Sequence, residues 1–505
     1  MLGIEDLTRQ PRFGRQWHLH KPNKLLGINA VGAWTLTRGS KEIKVVVFDT
    51  GVDLIHPNLH PNLVLEEARD FDHSLEEEVK LEDSEIEELL QNAVAADYAH
   101  RARARKEEQA ASRKANSLGP AQTSKSGLGF DRVKTKARIY NPHDAHGTAS
   151  AGIVAAAAND TGCVGVAPEC SIVPVRISTN VEFKSLIAAV KYAGQVGQVI
   201  LMPRSLPWVE AQPSTPGGAG ASAAKHAALS PVESKASAGE HPSLRHAVDT
   251  QAHQTWLELN GKDGREFWRA LDGKSEQELS AILYAAISEV AERVPVVCAS
   301  GNNGTGSLIY PACLEATIAV GACNEKGWRS TYSQYGRGLD LVAPSNDVPT
   351  RSETLTRCSE DMLGPDEKPE DFGVERLGMF GIDTTDNLGP FGYNPDPPGD
   401  YCEADGDFAF GGTSAAAAQV AGVVALMLSA NQALTPSDIR EILRDKSSMD
   451  HLHGEPKAGP TGEAPTKEEF GSGLIDAAKV VQAAADTASA MKPARPAAQM
   501  HSTAA

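Results

Sequence analysis

KVVVFDTG, residues 44–51, is a β-branched and aromatic run that stops at Asp-Thr-Gly. Such a run, closed by a turn tripeptide, reads as a buried strand followed by a turn. Five more segments repeat the pattern: SIVPVRI (171–177), QVILM (198–202), PVVCAS (295–300), TIAVGAC (317–323) and LDLVA (339–343). Helical stretches alternate with them. HGTASAGIVAAAA (146–158) has small faces suited to deep packing, and VEFKSLIAAVKYAGQVG (181–197) is amphipathic. SEQELSAILYAAISEVAER (275–293) opens on a capping box, Ser275 with Glu278. TPSDIREILRDK (435–446) has Thr435 as N-cap, Pro436 at N1 and Asp438 at N3. Buried strands alternating with helices predict an α/β fold with a mainly parallel sheet.

Composition narrows the function classes. Of 505 residues, 41% are hydrophobic and 23% charged, enough for a large core, and the net charge of −18 argues against a nucleic-acid surface. Seven cysteines, an odd number without a CxxC pair, read as buried free thiols rather than a disulfide framework. The first twenty residues show no signal-peptide pattern, and the longest apolar run, Val420–Leu428, is too short for a bilayer. The expectation is a cytoplasmic protein with no membrane partner. Three stretches break the α/β rhythm: charged blocks within 74–127, an Ala/Ser/Pro/Gly-rich segment at 210–245, and an Asp/Pro/Gly-rich segment at 346–405. A low-complexity tail follows residue 486.

Four short motifs carry chemistry, and each alone has an ordinary reading. Asp49 ends a strand in DTG, a tripeptide that aspartic proteases use in pairs, but there is no second copy here. His146 opens a helix in HGT; alone it is a capping histidine, with a carboxylate beside it a proton relay. His143 and His146 share an HxxH spacing that no glutamate completes into a zinc-protease motif. ASGNNG (299–304) is a turn, or a place where the Asn302 amide meets an oxyanion. In GGTSAAAAQVAG (411–422), Ser414 is an N-cap, or a nucleophile at a helix N-terminus.

Together, DTGVDxxHPxL, HGTxxAG, SGNxG and GTSxAA, in the order Asp, His, Ser, resemble the subtilisin-like serine proteases. PRFGRQWHL, GVAPECSIVPVRI, LVAPS and FGSGLIDAAKVV extend the resemblance from about residue 11 to about 485. It implies a three-layer α/β/α subtilisin-like fold over 11–485, preceded by a 1–10 extension, with the three stretches as inserts and 486–505 as tail. It implies a serine endopeptidase acting on protein or peptide substrates through an acyl-enzyme, with Ser414 as nucleophile, His146 as general base and Asp49 as its orienter. Asn302 and the Ser414 N–H would form the oxyanion hole. Substrate would pair with edges at Ser205–Leu206 and Ala299, Ser300 and Gly301. The chemistry needs no cofactor. A structural Ca²⁺ is implied at the Ala157-Asn159-Thr161-Cys163 loop, with Asn58 in the carboxylate position and Asn159 beside it. Departures are Ala418 where the family has proline, Pro207 in the place of an edge glycine, and Ile309 at the pocket floor. The alternative is a latent or inactive scaffold of this fold that binds a regulatory partner through its inserts.

Overall fold

The computed structural model describes residues 3–20, 25–71, 144–177, 181–209, 250–262, 264–347, 376–389, 391–396, 399–405, 408–455 and 463–491. The strands are β1 Lys44–Asp49, β2 Arg69–Asp70, β3 Ser171–Arg176, β4 Val199–Met202, β5 Val296–Ala299, β6 Ile318–Cys323, β7 Leu341–Pro344, β8 Thr384–Thr385 and β9 Tyr401–Cys402. The helices are α1 Ile4–Thr8, α2 Ala30–Trp34, α3 His146–Ala155, α4 Phe183–Val196, α5 Thr250–Asn260, α6 Gly264–Leu271, α7 Glu276–Ala291, α8 Gly412–Ala430, α9 Pro436–Lys446, α10 Lys467–Phe470 and α11 Ala477–Met491. Both expected capping boxes form, Ser275 with Glu278 and Thr435 with Asp438.

Among the described residues, β1 to β7 make one sheet in the order β2-β3-β1-β4-β5-β6-β7, with every pair parallel. Successive side chains on a strand face opposite ways. Val45, Val47, Leu201, Val297 and Val320 therefore join one core with α3 and α8, whereas Val46, Phe48, Ile200, Cys298 and Ala319 join a second core with α4 and α7. This gives the three layers that the resemblance implies. The chain leaves β1 toward β3 on one side and later returns to β4 on the other. Asp49, at the carboxyl end of β1, thus stands at the point where the winding reverses, where open parallel sheets bind ligands.

α8 is apolar and long enough to cross a bilayer, yet 89% of that stretch is buried inside the protein, so it is a core helix. Six cysteines, at 163, 170, 298, 313, 323 and 402, are unbridged. The expected inserts at 74–127 and 210–245 lie outside the described residues, as does His143. Within the expected 1–10 extension, α1 buries Leu7 in the main core, and α11 continues past residue 485.

The Asp/Pro/Gly-rich segment 346–405 differs from the loop its composition suggests. Its described part carries β8 and β9, and Ile382, Asp383, Thr384, Thr385 and Cys402 are fully buried. Thr384 and Thr385 lie along α3, their hydroxyls donating to the Ala149 and Thr148 carbonyls at 3.0 and 2.7 Å. Gly152 makes this approach feasible, since a Cβ there would stand 2.1 Å from Thr385 Oγ1. Gly152→Ala should therefore destabilise the protein. Alanine favours the helix by about 1 kcal/mol, but overpacking costs about 1–3 kcal/mol. The urea unfolding midpoint should fall.

Candidate active site

Asp49 is fully buried at the end of β1. Its carboxylate lies 2.7 and 2.9 Å from His146 Nδ1, and it accepts from the Ser150 hydroxyl at 3.1 Å and the Thr50 N–H at 2.7 Å. Burial alone would raise the Asp49 pKa. The adjoining imidazole, its hydrogen bond, the Arg204 charge and the Thr50 N–H outweigh burial and hold it below the ordinary value. An ionised carboxylate only accepts, so Nδ1 carries the proton, and in the neutral imidazole that leaves the lone pair on Nε2. His146 and Ser150 are one helical turn apart and share a face of α3, which is why both reach one carboxylate. The helix starts hard against the turn after Asp49: a Cβ on Gly147 would lie 2.0 Å from the Gly51 carbonyl oxygen. Phe410 sets its ring edge-on to His146 at 5.3 Å, and Tyr393 lies against Phe410 at 5.6 Å.

Ser414 occupies the first turn of α8. Its hydroxyl donates to the Pro203 carbonyl at 2.9 Å rather than to His146. Beside it, Asn302 Oδ1 accepts both the Thr413 N–H and the Thr413 hydroxyl at 2.9 Å. That fixes the amide so that Nδ2 remains as a donor next to the start of α8. Thr413 Oγ1 also accepts the Gly301 N–H at 3.1 Å, tying the two loops together. The structure thus brings Asp49 and His146 into contact and sets Ser414 and Asn302 at the head of α8.

The expected substrate-pairing edge at 299–301 makes bonds within the protein. The Ser300 N–H donates to the Val320 carbonyl and its own carbonyl accepts from Ile309. The Gly301 N–H goes to Thr413, and its carbonyl accepts from Gln334. Ala299 is buried inside β5. These backbone groups are engaged internally. The Leu206 N–H is taken by the Tyr310 carbonyl, while Ser205 is exposed. Asn58 and Asn159, the expected cation ligands, bond to each other at 2.8 Å. Sequence reasoning missed Thr413, Ser150, Pro203 and Phe410. The i, i+4 spacing of His146 and Ser150 was a visible signal for one of them.

The subtilase family profile matches residues 40–473. The chain belongs to the subtilase family. This subtilase is 24% identical over 493 residues to the Calcium-dependent protease of a Nostoc species, covering 95% of this chain and 53% of that protein. It is 49% identical over 70 residues to Subtilisin Savinase of Lederbergia lenta, covering 14% of this chain and 26% of that one. The chain spans about half the length of the longer curated relatives it matches. Among solved structures, the Aeromonas sobria serine protease in complex with a chaperone is similar in fold, with a TM-score of 0.53 and 16% identity over 96% of this chain and 68% of that one.

The loop that carries Tyr393 holds a titratable carboxyl. Asp386 accepts the Asn387 and Asn394 N–H groups at 2.9 and 2.8 Å, folding the loop that carries Tyr393 around its carboxyl. Burial, reinforced by the nearby Asp53 charge, outweighs those donors and pushes its pKa to about 7. Because this folded-state value lies above the ordinary 3.8, Asp386 contributes stability that is complete below 3.8 and lost as pH rises through about 7. Asp386→Asn mimics the protonated form. Over that pH interval the melting temperature of the variant should decline less than that of the parent; parallel declines would contradict the assignment.

Proposed function

We propose that this subtilase is a serine endopeptidase acting on protein or peptide substrates, with Ser414, His146 and Asp49 as its catalytic residues. The observation that carries the reading is the buried Asp49 held on His146 Nδ1, at the start of a helix that packs against the one whose first turn carries Ser414. In the reaction the Ser414 hydroxyl turns from the Pro203 carbonyl toward His146. Nε2 takes its proton as Oγ attacks the scissile carbonyl, and the charge on the carbonyl oxygen is met by Asn302 Nδ2 and the Ser414 N–H. The imidazolium, stabilised by Asp49, then passes the proton to the leaving amine. Water repeats the sequence on the acyl-enzyme and restores Ser414.

The unit responsible is residues 11–485, with the segments at 74–127, 210–245 and 346–405 as inserts. The resting Ser414–Pro203 bond favours one further reading: the serine is parked until substrate, or a partner bound through the inserts, turns it. The Aeromonas protease was solved with a chaperone, and a regulatory partner is the corresponding proposal here.

The test is fluorophosphonate labelling of the parent beside Ser414→Ala, with casein digestion in parallel. Serine-dependent labelling with digestion is expected; absence of labelling in the parent would overturn the reading. Asn302→Ala should lower kcat by about 10²–10³, a magnitude carried over from a subtilisin rather than obtained from this chain. A Cβ on Gly301 would meet Ile309 Cγ2 at 2.7 Å, so the isoleucine packs against the backbone beside Asn302. Ile309→Gly should raise kcat/KM for peptides with a large side chain before the cut relative to small ones. An unchanged ratio would remove Ile309 from the pocket.

A further inference from the structure

Two relatives bear the name Calcium-dependent protease, and the loop after α3 is where the family resemblance implies a cation. The side chains found there do something else. Asn58 is fully buried. Both hydrogens of its amide are donated to oxygens that a cation would need: the Ala157 carbonyl at 3.0 Å and Asn159 Oδ1 at 2.8 Å. Its own Oδ1 accepts the Tyr401 hydroxyl at 2.6 Å. Asn159 Oδ1 takes a second bond, from the Thr161 hydroxyl at 2.7 Å, while Asn159 Nδ2 donates to the Pro57 carbonyl at 2.8 Å. Gln10 Oε1 accepts the Asp160 N–H at 2.9 Å.

A calcium ion needs six to eight oxygens with lone pairs turned inward at about 2.3–2.6 Å, and carboxylates to offset its charge. Here each named oxygen already receives an N–H or O–H. The group at the centre is an amide NH₂, whose positive hydrogens would face a cation. The Arg12 guanidinium, itself paired with Asp383, lies 4.9 Å from the Tyr401 ring centroid and helps seat the phenol. The pocket is also filled. A Cβ on Gly162 would stand 2.1 Å from the Tyr401 hydroxyl and 2.4 Å from Asn58 Oδ1, so glycine is what admits the phenol. Burial raises the Tyr401 pKa, so the phenol remains a donor.

We propose that the network of Asn58, Asn159 and Tyr401 takes the place of a calcium ion, and that the loop from 157 to 163 is held without metal. Tyr401 comes from β9, within the Asp/Pro/Gly-rich insert, so the insert supplies the replacement. The inference is independent of the protease reading, because it concerns stability.

The experiment is thermal unfolding of the full chain in millimolar Ca²⁺ and in EDTA, on a Ser414→Ala background so that self-digestion does not register as unfolding. The melting temperature should agree within about 1 °C, whereas a cation well above its Kd would shift it by roughly 5 °C. Should a calcium-dependent shift appear, it is remeasured in Asn58→Ala and in Asn159→Ala. A shift that vanishes in these variants locates calcium in this loop and overturns the proposal. One that persists places the ion elsewhere and leaves the loop assignment standing. Tyr401→Phe, which deletes one hydroxyl, should lower the melting temperature by a few degrees in either buffer. No change would remove Tyr401 from the network.

Discussion

The buried charge on Asp49 is the constraint around which this protein is arranged. A carboxylate removed from water is costly unless donors surround it. Thr50, Ser150 and His146 supply them, from a turn and from two positions on one helix. To bring all three within reach, the helix must start against the turn itself, and only glycine at 147 leaves room. Once α3 is fixed there, its far side is committed to α8 and to β8 of the insert. The position of Ser414 relative to His146 is therefore set by backbone packing rather than by a bond between the two.

The strands and their alternation with helices were legible because a sheet buried on both faces leaves unbroken apolar runs such as Val45–Phe48. Asp49, His146, Asn302 and Ser414 were legible only jointly, since each sits in a motif with an ordinary local meaning. The role of 376–405 was not legible. Thr384, Thr385 and Asp383 are held by side-chain bonds to α3 and to Arg12. Such bonds leave no periodic trace in a sequence. Nor could composition say which way the Ser414 hydroxyl turns, because its acceptor is a main-chain carbonyl 211 residues away. Asn58 could be read as a missing charge, but not as a donor that closes the space the charge would have served.

Other buried carboxylates divide into two kinds. Asp340 accepts from Arg440 and Arg444, and Asp383 from Arg12, in geometries matched to a guanidinium. These pin α9 and the N-terminal segment to the sheet and insert. Among the described residues, Asp53 and Asp386 receive backbone N–H groups, and their pKa values are pushed up to about 6 and about 7. The arginine-paired acids fasten distant parts of the chain. Those held by backbone N–H groups lie in the loops after β1 and β8.

Twelve of the nineteen residues in the helix that carries Ser414 are alanine, glycine or valine, and Thr413 through Leu428 are all buried. An alanine has no rotamers to lose on burial. A core made this way has few side-chain degrees of freedom through which to relax. Neighbouring layers meet it almost backbone to backbone, as where Gly422 leaves 2.7 Å between a notional Cβ and Val166. Positional noise at Ser414 is then limited to movements of the whole helix. The same rigidity leaves this helix little scope for gradual sequence change, since almost any larger side chain along it would displace a layer of the protein rather than a neighbour.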